Sequence, residues 1–298
     1  MLIISDLLYS IVHYLIEDGI VAFQDNGLYS ITNLGAILLA KNLFDFSRLS
    51  RKALRIIQYD GNSRLKISKE NTDNSGYASG VDGVMKYIDA LLPSEEIIGG
   101  ATRIKKSSYP MTAIREAIAN ALIHQDLSVV GTGPVVEIFD SRIEISNAGV
   151  PLVDIDRIID NPPKSRNEKL ASLMRRFRLC EELGSGWDRM VILCELAQLP
   201  APKIEVCNGS TRVTLFAEKP YSSISPEDRL RACYLHACIM QVQGEQLTNS
   251  SLRKRFGLKE SSAASISRLI KDAVDSQLIK PLDINTAPRY MKYIPFWA

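Results

Sequence analysis

Residues Met111–Leu127, MTAIREAIANALIHQDL, carry a carboxylate, an amide and an imidazole at helical spacing. At about 100° per residue, Glu116, Asn120 and His124 fall within an arc of roughly 80°. Ile114, Ala117, Ile118, Ala121 and Leu122 cover the opposite side. An amide oxygen is a ligand for a hard divalent cation, and a carboxylate beside it is a candidate base for a water. Asn120 is therefore the candidate metal ligand and Glu116 the candidate catalytic base. An amphipathic surface helix with an ordinary polar face would show the same spacing, and periodicity alone does not separate the two.

Two further stretches could meet an anion. Gly184-Ser185-Gly186 precedes a helix from Trp187; small residues let backbone N–H groups reach a phosphate, and a helix N-terminus adds donors and a favourable dipole. An ordinary loop has the same composition. Arg166 and Asn167 follow the Asn161-Pro162-Pro163 break and are candidate phosphate or ribose contacts. They equally describe a plain helix start, since Asn is a good N-cap.

The elements that must position these residues can be read from pattern. Residues 1–41 give a helix over Leu7–Glu17, a hairpin of Val21–Phe23 and Leu28–Ile31 around Asp25-Asn26-Gly27, and a helix through Ala36–Ala40 capped at Thr32-Asn33. This segment is either a packing layer or a partial winged helix. A strand over Lys52–Tyr59, a loop over Glu70–Ser75 and a helix over Gly80–Leu92 follow. Beyond the site-bearing helix come strands Val135–Phe139 and Arg142–Ser146, helices near Glu168–Phe177 and Trp187–Leu196, and strands Lys203–Val206 and Arg212–Phe216. Helices segregated from antiparallel strand pairs predict an α+β, two-layer sandwich over residues 42–218. Glu218–Pro226, EKPYSSISP, reads as a linker.

Residues 226–298 are expected to form a separate winged helix-turn-helix domain. Pro226–Val242 and Asn249–Arg255 read as helices, Gly257-Leu258 as a turn, and Ser261–Ser276 as a third helix capped by Ser261. Leu278–Leu282 and Arg289–Ile294 pair around a wing tip at Asn285–Pro288. On the third helix Ser262, Ser265, Ser267, Arg268 and Lys271 face outward, a set suited to groove entry and phosphate contact. The same module could instead serve protein contact or dimerisation.

Composition narrows the class. An apolar share of 46% with 23% charged residues fits a soluble globular chain, and nothing approaches the ~18–20 apolar residues of a membrane span. The five cysteines are scattered without CxxC pairing, which argues against a zinc ribbon or a disulfide framework and for a reducing cytoplasm. Net charge is only +2, yet Ser225–Ala298 holds 11 Lys/Arg against 7 Asp/Glu, a local surplus that suits a polyanion such as double-stranded DNA. No GxxxxGK[ST] loop occurs, so a P-loop motor is not expected.

The runs REAIANALIHQDLS, EIFDSRIEISNAGVP and RNEKLASLMRRFRLCEELGSGWDRM, in that order, resemble a divergent GHKL-type ATPase domain. That domain is known as RecG-helicase C-terminal-like and often follows a Schlafen AlbA-type domain in transcriptional regulators. The resemblance spans about Gly27–Phe216, and the ending YMKYIPFWA is similar to that family's tail. It implies a Bergerat-like fold binding ATP and Mg²⁺, with Glu116 as catalytic carboxylate and Asn120 as Mg²⁺ ligand. His124 and Asp126 stand in the family's HRDY, where Gln125 and Leu127 replace its Arg and Tyr. Asn147 and Gly149 lie in the loop that would read adenine, which here lacks the family's Asp. Gly184, Ser185 and Gly186 would approach the phosphates. An AlbA-type domain would precede residue 1, so the chain is expected to be a fragment or to lack that domain's activity.

Three functions follow as expectations. One is an ATP-binding, DNA-associated transcriptional regulator in which nucleotide occupancy modulates the winged helix. Another is a non-enzymatic DNA-binding or protein-interaction regulator on a degenerate ATPase scaffold. A third is a slow Mg²⁺-dependent ATPase in a nucleic-acid or defence process. No membrane partner is expected, and a homodimer is compatible with each.

Overall fold

A computed structural model describes residues 2–99, 102–162, 164–180 and 186–298. Helix α1 (Leu2–Glu17) leads into strands β1 (Val21–Phe23) and β2 (Tyr29–Ile31), whose turn uses a positive φ of 82° at Gly27. Helix α2 (Asn33–Leu39) starts at Thr32, whose hydroxyl accepts from the Gly35 N–H at 3.0 Å.

The centre is a six-stranded sheet of β3 (Leu54–Tyr59), β4 (Ile67–Asp73), β7 (Val135–Ile138), β8 (Arg142–Ala148), β9 (Lys203–Cys207) and β10 (Ser210–Phe216). Their order is β4-β3-β7-β8-β10-β9, and only the β3–β7 pair is parallel. A parallel pair needs a long crossover. Here it comprises helix α3 (Tyr77–Leu91), the hairpin β5 (Ser94–Gly99) with β6 (Thr102–Ser107), and helix α4 (Met111–His124). That connection lays α4 across one sheet face. Its Ala113, Ile114, Ala117, Ile118, Ala121 and Leu122 are buried, in one core with Val136, Ile138, Ile143, Ile145, Val213 and Leu215 from alternate strand positions. Helices α5 (Glu168–Arg176) and α6 (Gly186–Leu196) complete the layer. The result is a mixed α+β arrangement of a six-stranded sheet and a helical layer.

The opposite sheet face is kept by paired charge. Arg64 reaches across to Glu137 at 2.6 Å and also engages Glu144, while Arg142 binds Glu144 at 2.6 Å and stacks 3.8 Å above the Phe139 ring.

Two local expectations change. Glu70–Asp73, expected as loop, belong to β4, paired from Leu54↔Asp73 to Tyr59↔Ile67. It is an edge strand exposed along most of its length, so it carries no apolar alternation to read. The strand expected from Lys52 begins at Leu54, because Lys52 turns inward. Its ammonium, 3% exposed as a residue, donates to the carbonyls of Val129 at 2.8 Å and Thr132 at 3.2 Å, fixing the loop after α4.

Helices α7 (Pro226–Val242), α8 (Asn249–Arg255) and α9 (Ala263–Asp275) precede the strand pair β11 (Ile279–Pro281) and β12 (Tyr293–Pro295). Helix α9 starts at Ala263 rather than after a Ser261 cap; Ser262 is its N-cap residue, without a capping side-chain bond, because residues 260–262 form a short 3₁₀ turn. Helix α7 is apolar on both sides. Ala232, Leu235, Cys238 and Ile239 join the main core, whereas Cys233 and Ala237 join a second core with Leu252, Ile266 and Ile270.

Candidate functional site

Glu116, Asn120 and His124 line one cavity of about 520 Å³, within the range of small-molecule sites. Ile145 and Asn147 of β8, Thr211 and Val213 of β10 and Ile204 of β9 form its floor. Residues from 150–153, 158–162 and 164–165 with α5 supply one wall, and Gly186 and Trp187 at the start of α6 close the end. Glu116 is 3% exposed; Asn120 and His124 are half-buried.

Gly186 sets the spacing at the deep end. A β-carbon there would lie 3.1 Å from Glu116 Oε2 and 3.3 Å from Asn120 Nδ2. The absence of a side chain thus lets the first turn of α6 approach the carboxylate and amide together. Gly184 and Ser185 lie outside the described residues.

The remaining sequence candidates do not line the cavity. Asp126, Gly149, Arg166 and Asn167 instead brace α4 against the end of β8. The Asp126 N–H donates to Ala148 O at 2.7 Å, and Arg166 Nη2 donates to Val150 O at 2.8 Å. Gly149, at φ 101°, passes so close that a β-carbon would lie 3.1 Å from Asp126 Cβ. Asn167 occupies the N-cap position of α5, but its amide does not cap. It donates to Ile123 O at 2.7 Å and Gln125 O at 2.8 Å, satisfying carbonyls at the α4 C-terminus.

Burial, with the positive charge of Arg166 second, holds the His124 pKa below its ordinary value, so the imidazole is neutral at neutral pH. Asp188, in the first turn of α6, is pushed up to about 6 by burial, and one of its oxygens has no hydrogen-bond partner among the described residues. Its folded pKa lies above its ordinary 3.8, so its contribution to stability is full below pH 3.8 and is lost as pH rises through about 6. Asp188→Asn should therefore gain melting temperature relative to the parent chain as pH rises from 4 to 8. A difference that stays flat across thermal melts at those pH values would sink this assignment.

Lys164 and Arg175 escaped the sequence reading, yet both line the cavity. Arg175 lies on α5 seven residues after Glu168 and four after Ala171, which line it too. That i, i+3, i+7 stripe was the available signal.

A nucleotide with a divalent cation can be tested against these residues. The buried Ser165 Oγ and Trp187 Nε1 belong to cavity-lining residues and have no hydrogen-bond partner among the described residues, which leaves polar capacity for an occupant. Among the described residues no group of three or more His, Cys, Asp or Glu could hold a metal by itself. Mg²⁺ commonly takes one or two protein ligands plus phosphates and waters, so a site of Asn120 and Glu116 fits that pattern. The residues fit the pair.

Residues 131–215 match a family model described as "Putative ATP-dependent DNA helicase recG C-terminal". The segment is ATPase-like. The match covers β7 to β10 with the cavity's floor and one wall, but not α4. Among solved structures, the DIP2311 protein from Corynebacterium diphtheriae is similar in fold, with a TM-score of 0.55 at 18% identity. The alignment covers 92% of this chain and 55% of that one, so this chain spans little more than half of its neighbour's length. No curated protein matches the sequence. Among the described residues no helix is long and apolar enough to cross a membrane.

Proposed function

We propose that the cavity binds ATP with Mg²⁺, and that its occupancy modulates a C-terminal winged helix bound to double-stranded DNA. The observation that carries the nucleotide reading is the convergence of Glu116, Asn120 and the side-chain-free start of α6 at one end of a cavity that Lys164 and Arg175 also line. Bound Mg²⁺ would neutralise phosphate charge. Asn120 would present its amide oxygen to the ion, Lys164 and Arg175 would meet phosphate oxygens, and the α6 N-terminus would add backbone donors. Asn147, on the floor, keeps an amide oxygen that can accept from the exocyclic amine of adenine, where the related family has an Asp. Glu116 would take the proton of an attacking water.

Calorimetric titration with ATP and Mg²⁺ tests this reading, and no binding of ATP or ADP at millimolar concentration would sink it. Glu116→Gln should retain binding and lose at least ~100-fold in any hydrolysis, the usual size of a general-base contribution. Hydrolysis that persists in the variant excludes Glu116 as the base.

The DNA reading rests on three helices followed by a strand pair, with Ser267, Arg268 and Lys271 exposed on α9 and Ser262 and Ser265 half-buried beside them. If α9 enters a groove, Arg268→Ala and Lys271→Ala should each weaken DNA binding and reduce its salt dependence by about one counterion. The lack of an acid across Ser146–Gly149, expected as a loop but forming the end of β8 and the residue after it, favours a second reading, a degenerate scaffold. Unchanged DNA affinity and stability in Glu116→Ala and Asn120→Ala would support it.

A further inference from the structure

The cavity wall at 151–162 packs Ile159 and Ile158 into the main core but has few hydrogen bonds to the rest of the protein. Its own hydrogen bonds close on themselves: Asp156 N–H on Asp154 Oδ1 at 3.0 Å, Arg157 N–H on Asp154 O at 3.2 Å, and Asn161 N–H on Arg157 O at 3.1 Å. The Arg157 guanidinium pairs with Asp160 inside the same segment. Among the described residues, one hydrogen bond leaves it. The Tyr234 hydroxyl, on α7, donates to Asp156 O, and the Tyr234 oxygen itself accepts from the Trp297 indole N–H at 3.2 Å. The Trp297 ring also lies 5.0 Å from the Arg157 guanidinium carbon, within cation–π reach. Cys238, one turn along α7, joins the same cluster: burial pushes its thiol up to about 12, and it is in hydrogen-bond contact with both Tyr234 and Trp297.

These contacts touch the back of residues whose neighbours face the cavity. Val153, Ile158 and Asn161 line it, and Asp156 and Arg157 stand between them. Both anchoring residues come from the C-terminal module, and α7 is itself fixed by a buried pair: His236 Nδ1 lies 3.0 Å from Glu195 of α6. The wall's polar anchors therefore come from outside the sheet-bearing layer, while Ile158 and Ile159 seat it on the main core.

We infer that Tyr234 and Trp297 are positioning residues of the cavity, a latch by which the C-terminal helix and tail hold the 151–162 wall and through which an occupant acts on that module. The first half stands on the ligand-free geometry; the second rests on the nucleotide reading above. An occupant that draws the wall inward must lengthen or break the Tyr234–Asp156 bond, and a ligand shifts such an equilibrium only by binding the two wall positions unequally. Removing the hydroxyl should free the wall and cost the ligand a site that is no longer pre-organised.

The test is hydrogen–deuterium exchange on the full chain, wild type against Tyr234→Phe, which keeps the ring and removes only the hydroxyl, and Trp297→Phe, which removes the N–H. Without ligand, both variants should exchange about five-fold faster at 151–162, the worth of one ordinary hydrogen bond, with α4 and β7–β8 unchanged. Exchange equal to wild type at 151–162 overturns the latch. With millimolar ATP and Mg²⁺, wild type should show altered exchange at both 151–162 and 293–298. Tyr234→Phe should keep the first response, lose the second, and bind about five-fold more weakly at unchanged melting temperature. Binding that alters 151–162 in wild type but never 293–298 overturns the coupling. A wild-type chain that binds no nucleotide overturns the nucleotide reading instead, and the ligand-free arm alone then decides the latch.

Discussion

Gly186→Val should abolish measurable nucleotide binding. The β-carbon alone would stand 3.1 Å from Glu116 Oε2 and 3.3 Å from Asn120 Nδ2, both tighter than ordinary contact, and 3.5 Å from Asn120 Oδ1. The two γ-methyls of valine must then occupy space at the same end of the cavity, and they cannot do so without turning the carboxylate or the amide away. Glu116 is 3% exposed, so its side chain has little room to yield. We expect at least a hundred-fold loss of affinity, about 2.7 kcal/mol, because the residue blocks both the ion's ligand and the approach of phosphate to backbone donors. Gly186→Ala should fall between the two, since a few tenths of an ångström of adjustment suffices. Calorimetry reads the affinity and circular dichroism checks the fold; a valine variant that binds as wild type removes this end of the cavity from the site.

The second large effect concerns stability. The Arg255 side chain is 1% exposed; it pairs with Glu195 at 3.4 Å and donates to Leu199 O at 2.8 Å. Burial lowers its pKa, while the Glu195 charge supports it. The other Glu195 oxygen faces His236, whose second ring nitrogen lies 3.1 Å from Ser251 Oγ. Arg255→Ala removes the cation beside the buried Glu195 carboxylate and strands the Leu199 carbonyl in the seam between α6 and α8. Breaking one side of a buried pair costs about 3–5 kcal/mol, and chemical denaturation should show a loss of that order. Arg255→Met with Glu195→Leu should recover much of it, since a matched apolar pair strands no charge. A single variant losing under about 1 kcal/mol, the worth of an exposed pair, would show the network to be solvated.

Much of this was legible because periodicity is a local property. The α4 stripe needed only helical spacing, and the hairpin at Asp25-Asn26-Gly27 needed only its turn chemistry. What escaped depended on distant partners. Strand β4 is an exposed edge whose polar residues carry no period, so only its pairing with β3 reveals it. Asn167 looks like a cap in sequence, yet two carbonyls 42 and 44 residues upstream take its amide. Lys52 reads as a basic strand residue until the loop 77 and 80 residues later offers it carbonyls. Arg166 and Asp126 carry charges that suit a phosphate, but the crossing of Gly149 draws them into the brace behind the cavity.

Helix α7 carries a consequence for how the molecule can be divided. Composition suggests a cut in the 218–226 stretch, yet the helix that follows it gives one side to each core. A fragment starting at Pro226 would present Leu235, Cys238 and Ile239 to water, and one ending before it would uncover the surface they fill. Each half therefore chaperones the other, and the intact chain should lose both cores in a single cooperative transition, with neither piece inheriting a native state of its own.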